Sequence, residues 1–311
     1  MSERLGLGLL PVPSLGWRAQ EVQMVAREAE AAGFDAIFTA EVNNSAMAIA
    51  QLMGTATTRI QVGTWVANIY LRHSYACAQA AAFIADVTAG RFILGLGVSH
   101  QPVNQALGLA MPHPSQTLRQ YVKDVKMWLR GEGPPTHVAQ SPSAQPVPLY
   151  VAALASTAVE LGGELADGLM PFLWTAERVA QSKVWVDRGR AKAPDLKPLD
   201  MTLGLPTFIG DDVAAIREAA RQNLGLFTTF PFFQRLFRAS GFEEEAARME
   251  QGQVGPTSLT DRLLDAVCLL GSVSRCQDQL AAFRASGVDM PILMPPLGVE
   301  AALAIIQAFR R

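Results

Sequence analysis

Short apolar runs alternate with longer amphipathic stretches along almost the whole chain, and this alternation limits the folds open to it more than any other feature. Leu5–Leu10 reads as a first strand, stopped by Pro11 and Pro13. Trp17–Ala32 follows with apolar residues at helical spacing and Gly33 as its stop. Asp35–Thr39 is a second buried run, Ala46–Thr57 a helix, and Arg59–Val66 a third strand. Ser74–Thr88 is helical, Arg91–Gly97 a fourth strand and Gln116–Leu129 a helix, followed by a turn-rich segment from Gly131 to Pro148. Val147–Ala153 and Gly168–Leu173 are the fifth and sixth strands around the helix Thr157–Ala166. Met201–Ile209 is the seventh, Asp289–Met294 the eighth, and Glu300–Phe309 a closing helix. Strands that are apolar throughout and separated by helices pair in parallel and are covered on both faces. Eight such units favour a closed (β/α)₈ TIM barrel over an open sheet.

A chain of 311 residues fits this barrel as one domain, 1–311. The stretch Gly225–Thr260 is longer than a barrel connection, which implies a helical insertion between strands seven and eight, within 212–260. Leu226–Phe237 is dense in phenylalanine and Gly241–Gln253 is charged. Those aromatics either line a substrate pocket or a subunit contact, or pack an extra helix onto the barrel.

The net charge of -2 gives no reason to expect nucleic acid or an acidic membrane surface as a partner. No run reaches the roughly 20 apolar residues of a membrane helix. The first ten residues do not read as a signal peptide. Cys77, Cys268 and Cys276 are too few for a disulfide framework. A cytoplasmic location is expected. His73, His100, His113 and His137 show no paired metal-ligand spacing, so no metal site is expected.

In such a barrel the active site lies at the C-terminal ends of the strands. Two residues there suit proton chemistry. Glu41 follows strand two at an apolar mouth, where burial favours its neutral form. His100 follows strand four and titrates near neutrality. The alternatives are a structural ion pair between Glu41 and Arg72, and a loop-bracing role for His100. Gly95-Leu-Gly97 lacks the third glycine of a dinucleotide fingerprint; its small residues instead permit close approach of a flat ring. Ala155-Ser156-Thr157 opens a helix, where backbone N–H groups suit a phosphate or serve as a simple cap.

Ala32-Gly-Phe-Asp-Ala-Ile-Phe38, Arg59-Ile-Gln-Val-Gly-Thr64, Leu71-Arg-His73, Gly90-Arg-Phe-Ile-Leu-Gly-Leu-Gly97, Pro148-Leu-Tyr-Val-Ala-Ala153 and Glu164-Leu-Ala-Asp-Gly168 stand in one ordered series. In this the chain resembles the luciferase-like flavin or deazaflavin oxidoreductases, best over residues 5 to 175. Val66-Ala-Asn-Ile-Tyr70 and Leu96-Gly-Val-Ser-His100 look most like the subgroup that uses the deazaflavin coenzyme F420. The resemblance implies a ring across the barrel mouth, beside Trp65, Val66, Ala67, Asn68 and Ser99, with a non-prolyl cis peptide at the end of strand three. It implies a phosphate near Leu154, Ala155, Ser156 and Thr157 and a homodimer joined through helices near strands three and four, while Glu41 and His100, picked out by position, are the expected catalytic residues. Coenzyme F420 is the expected cofactor and FMN the alternative. The expected reaction is hydride transfer to or from a small organic substrate. An FMN-dependent monooxygenase using oxygen is the second reading, and a non-catalytic flavin-binding barrel the third. Many deazaflavin-dependent members have histidine after the acidic residue that follows strand two. Val42 stands there instead, which leaves His100 as the better proton donor.

Overall fold

Leucine and glycine alternate in the first strand, and that alternation sorts the barrel into an inside and an outside. The computed structural model describes residues 3–133 and 142–311; His137 and the middle of the turn-rich segment lie outside these. Its strands are β1 Gly6–Leu9, β2 Ala36–Thr39, β3 Gln61–Thr64, β4 Ala67–Asn68, β5 Phe92–Gly97, β6 Leu149–Val151, β7 Gly168–Leu169, β8 Asp200–Ile209, β9 Leu269–Gly271 and β10 Met290–Met294. All pairings are parallel. The order β1-β2-β3-β5-β6-β7-β8-β10 returns from β10 to β1, which closes an eight-stranded TIM barrel.

Leu7 and Leu9 face outward into the large core between strands and helices, together with Ile37, Val62, Leu94, Val151 and Leu203. The residues of opposite parity turn inward. Ala36, Phe38, Ile93, Tyr150, Met170, Met290 and Ile292 form a separate cluster with Trp65 that fills the barrel. Glycine makes room for these side chains. A Cβ on Gly204 would lie 2.8 Å from Met294 Cε and 3.0 Å from both Phe172 Cδ2 and Trp65 Cζ2. The interior is therefore a packed core rather than a pore, and chemistry is confined to its mouth.

The eight expected strands are present, although the sixth pairs only through Gly168–Leu169 and an isolated bridge from Phe172 to Gly204. Several elements were not foreseen. The helix Ala176–Arg190 links β7 to β8, a short helix Gln101–Ala106 follows β5, and β9 continues the sheet beside Thr207–Ile209. The expected insertion comprises the helices Val213–Leu224, Pro231–Ala239 and Glu243–Glu250. The helices Asp261–Val267 and Val273–Ala285 then lead back to β10. No described helix is long and apolar enough to cross a membrane.

Candidate functional site at the barrel mouth

The third barrel strand is broken where the mouth begins. β3 ends at Thr64, the Trp65–Val66 peptide is cis, and β4 resumes the pairing against Leu96 and Gly97 of β5. The non-prolyl cis peptide thus stands where the resemblance implied one. Trp65, 8% exposed, packs edge-on against Phe38 with ring centroids 5.7 Å apart. The next side chain lies against a glycine: a Cβ on Gly97 would fall 2.4 Å from Val66 Cγ2 and 3.1 Å from Ala152 Cβ. Val66, Gly97 and Ala152 together form a small apolar floor. Ala67 is fully buried beside it.

Polar residues hold this segment from behind. The Glu41 side chain is 2% exposed and its carboxylate accepts four hydrogen bonds. Two come from Arg72, Nη1 at 3.0 Å and Nη2 closer still. The others come from the backbone N–H of Asn68 at 2.7 Å and of Ala46 at 3.2 Å. Burial works against the Arg72 charge, but the hydrogen bonds and attraction to Glu41 outweigh it and hold the guanidinium above its ordinary pKa. The four donors occupy the acceptor sites of the carboxylate. The geometry is that of the ion pair with Arg72, and it fixes the backbone at Asn68.

Asn68 extends the network. Its Nδ2 donates to Asn104 Oδ1 at 2.7 Å, its Oδ1 accepts from the Tyr70 N–H at 3.1 Å, and Asn104 Nδ2 donates to the Val98 carbonyl at 3.0 Å. Asn104, on the short helix after β5, is fully buried and was not singled out from the sequence.

Ser99 adopts a left-handed backbone, φ 57°, between the floor and His100. His100 stands at the N-terminus of the helix Gln101–Ala106 and makes no side-chain cap to it. Its imidazole is stacked on Phe232 at 4.9 Å and tilted against Phe230 at 4.8 Å, with Phe233 at 6.0 Å. The aromatics of the insertion therefore do pack a helix onto the barrel, and what they pack on is His100. Nδ1 is buried without a hydrogen-bond partner. Burial pushes the imidazole pKa down, and a backbone contact at Ser99, outside hydrogen-bond geometry, opposes it weakly.

On the other side of the mouth, Leu154 and Ala155 lead into the helix Ser156–Leu165, whose first turn has no side-chain cap. The Leu154 carbonyl accepts from Arg178 Nη2 at 3.3 Å. Arg178 was also missed from the sequence, because the helix that carries it was. Cys77, Cys268 and Cys276 are free, buried thiols, and Cys77 lies close to the ion pair of Arg72 and Glu41. Among the described residues no cluster of His, Cys, Asp or Glu could hold a metal ion.

A closed parallel barrel with an apolar floor, an orphaned imidazole and an uncapped helix start at one mouth is a TIM barrel that gathers its polar chemistry at that mouth. The sequence pattern of the luciferase-like monooxygenases matches residues 11–290, and the chain belongs to that family of oxidoreductases. A Mycobacterium tuberculosis protein named as a coenzyme F420-dependent oxidoreductase is 27% identical, over 89% of this chain and 92% of its own length. Among solved structures, the coenzyme F420-dependent tetrahydromethanopterin reductase from Methanopyrus kandleri superposes with a TM-score of 0.80 at 18% identity, covering 99% of this chain and 98% of its own. The oxygenating constituent of 3,6-diketocamphane monooxygenase from Pseudomonas putida, in complex with FMN, has a TM-score of 0.72 at 13% identity, covering 100% and 96%.

Proposed function

We propose that the protein transfers a hydride between coenzyme F420 and a small organic substrate such as an activated alkene, ketone or imine. The observation that carries this reading is the juxtaposition at one barrel mouth of a flat apolar floor and the buried, unpartnered Nδ1 of His100. The residues fit a flat ring with a phosphate tail. Val66, Gly97 and Ala152 offer the ring an apolar surface, with Trp65, Ala67, Asn68 and Ser99 around it. The uncapped N–H groups of Ser156 and Thr157, with Leu154 and Ala155 leading to them, offer the phosphate a cradle. When bound, the deazaflavin supplies or accepts the hydride.

The protein supplies the rest. Glu41, through Arg72 and the Asn68 N–H, fixes the segment that forms the floor; it acts in this reading by positioning. His100 handles the proton. In a reduction the ring, protonated from solvent, gives that proton to the atom that gains negative charge and returns to the neutral form that burial favours. In the oxidative direction the same ring accepts the substrate proton. Phe230 and Phe232 hold the ring plane and keep water from that side. The relative named as F420-dependent supports this cofactor over FMN. The FMN-bound structural neighbour keeps an FMN monooxygenase as the second reading. A cytoplasmic homodimer belongs to the same proposal, and a monomer in sedimentation at micromolar concentration would contradict it.

The test is anaerobic turnover of reduced F420 against a panel of activated alkenes, ketones and imines, with the wild type and His100→Ala. The proposal expects oxidation of F420 by at least one acceptor class without oxygen, slowed roughly 10²–10⁴-fold in the variant at nearly unchanged cofactor affinity. Turnover that requires oxygen and reduced FMN selects the monooxygenase. An equal rate in His100→Ala assigns His100 to loop bracing.

A further inference from the structure

The mouth is almost free of charge. Residues 10–17, 40–45, 69–73, 98–118, 152–159, 170–176 and 295–299 follow β1, β2, β4, β5, β6, β7 and β10. Among them the only carboxylate side chain is that of Glu41 and the only lysine or arginine is Arg72, and these two are paired. Arg178, in the first turn of the helix Ala176–Arg190, is 8% exposed and packed against Trp174 and Trp185. The connection after β8 is the exception, with Asp211 and Asp212, and Asp212 caps the helix Val213–Leu224. The opposite end of the barrel is built differently: Arg4 pairs there with Asp200, Arg284 with Glu3 and Arg311 with Asp35.

In place of charge, the rim carries large apolar side chains. Leu15, Val42, Leu71, Leu107 and Leu297 stand exposed on these stretches, and Leu226 on the insertion is 65% exposed. A lone surface leucine needs no explanation, but a series on the loops of one mouth marks a surface that meets an apolar group. The rim is continuous with the aromatic wall of the site. Ring centroids of Phe230 lie 4.8 Å from His100 and 6.3 Å from Phe227, and Phe227 lies 5.2 Å from Phe172. Phe172 meets Trp65 across Gly204, where a Cβ would fall 3.0 Å from both rings. Leu226 adjoins Phe227 in the chain, and the Leu297 N–H donates to Asn223 Oδ1 at 3.4 Å, which brings the loop after β10 beside the same stretch. An ion entering here would shed its water with no counter-charge to replace it, whereas each apolar group that covers the wall gains by leaving water.

We infer that the substrate is an uncharged lipophile, whose reacting group lies at His100 and whose alkyl or aryl remainder lies along Phe227 and Phe172 out to Leu226 and Leu297. The inference rests on the hydride-transfer reading for the reacting group. It deepens that reading by fixing the chemistry of the part that does not react: apolar, extended beyond the barrel mouth, and without a carboxylate, phosphate or ammonium. Leu226 and Leu297 act on affinity alone, because they stand on the rim and not at the reacting atoms.

The experiment measures binding first and turnover second. The protein, with F420 and without it, is titrated by calorimetry with straight-chain methyl ketones from butanone to decanone, and with the decanone carrying a carboxylate at its far end. Leu226→Asp and Leu297→Asp place a charge on the rim. Val184→Asp, at a comparably exposed apolar residue on the outer helix Ala176–Arg190, is the control. The expected result is an affinity that rises about two- to fourfold with each added methylene and falls more than about tenfold with the carboxylate. Both rim variants should weaken the decanone by about threefold or more while leaving butanone and Val184→Asp unchanged. Where the ketones are reduced anaerobically by reduced F420, the same pattern should appear in KM with kcat held. Affinity that does not rise with chain length, or a carboxylate bound as tightly as the plain ketone, would overturn the inference. So would rim variants that behave as Val184→Asp does. A flat series together with a dimer that Leu226→Asp splits in sedimentation would give the rim to a second copy of the chain; together with flotation on phosphatidylcholine vesicles it would give the rim to a membrane. Chain-length-dependent binding without any F420 turnover would uphold the substrate class and refute the hydride-transfer reading.

Discussion

Glu41→Gln is the sharpest perturbation of the network behind the floor. Glutamine keeps the shape of the side chain, but it removes the charge opposite Arg72 and places an amide donor among four donors. Breaking a buried ion pair from one side costs about 3–5 kcal/mol. The Arg72 side chain keeps 19% exposure, so partial hydration places the expected cost near the lower end, about 3 kcal/mol. For 311 residues, an unfolding entropy of about 2.1 cal/mol/K per residue sums to roughly 0.65 kcal/mol/K. The melting temperature should then fall by roughly 5 °C. Arg72→Met leaves the opposite charge unpaired and should cost a comparable amount. The double variant should be more stable than the sum of the single losses predicts, by at least about 1.5 kcal/mol. Calorimetry on the four proteins measures this cycle. Single losses below about 1 °C, or additive losses in the double variant, would refute the coupling and with it the assignment of Glu41 as the anchor of Asn68.

Three further perturbations test neighbouring parts of the mouth. Gly97→Ala drives a methyl into Val66 and should destabilise by about 1–3 kcal/mol, with recovery on adding Val66→Ala; an unchanged melting temperature would contradict the close approach. Asn104→Leu leaves Asn68 Nδ2 and the Val98 carbonyl without partners and should cost about 1–3 kcal/mol, read by denaturant unfolding; a neutral result would mean that water replaces Asn104. His100 has its folded pKa below the ordinary 6.5, so the unfolded chain binds the proton first and stability falls as pH drops from about 6.5 towards the folded value. That loss should be smaller in His100→Phe, and parallel pH–stability curves would refute the burial of a neutral imidazole.

Much of the barrel is legible because its strands are buried on both faces and read as apolar runs bounded by glycine, proline or polar turns. Gly6–Leu9 and Phe92–Gly97 are of this kind. The missed helix Ala176–Arg190 carries charged residues through most of its length and buries only Arg178, Val179, Ser182 and Gly189, so no apolar stripe marks it. β9 is three residues long and owes its place to the upper end of β8 rather than to any local period. At the site, Glu41, Asn68 and His100 could be found because they follow strand ends, which a barrel turns to one mouth. The ion pair of Glu41 with Arg72 stood among the alternatives, and the sequence did not rank it. Asn104 and Arg178 gain their interest only from tertiary partners, Asn68 in one case and the Leu154 carbonyl in the other. The contact of the phenylalanine-rich helix with His100 joins segments more than a hundred residues apart, and no local pattern encodes it.

The cofactor preference is the central claim, and direct binding tests it most simply. The protein, freed of any cofactor carried from its host, is titrated with F420 and separately with FMN while the fluorescence of each is followed. The account predicts saturable binding of F420 at one equivalent per chain, with FMN weaker. Tight FMN binding with no binding of F420 would contradict it.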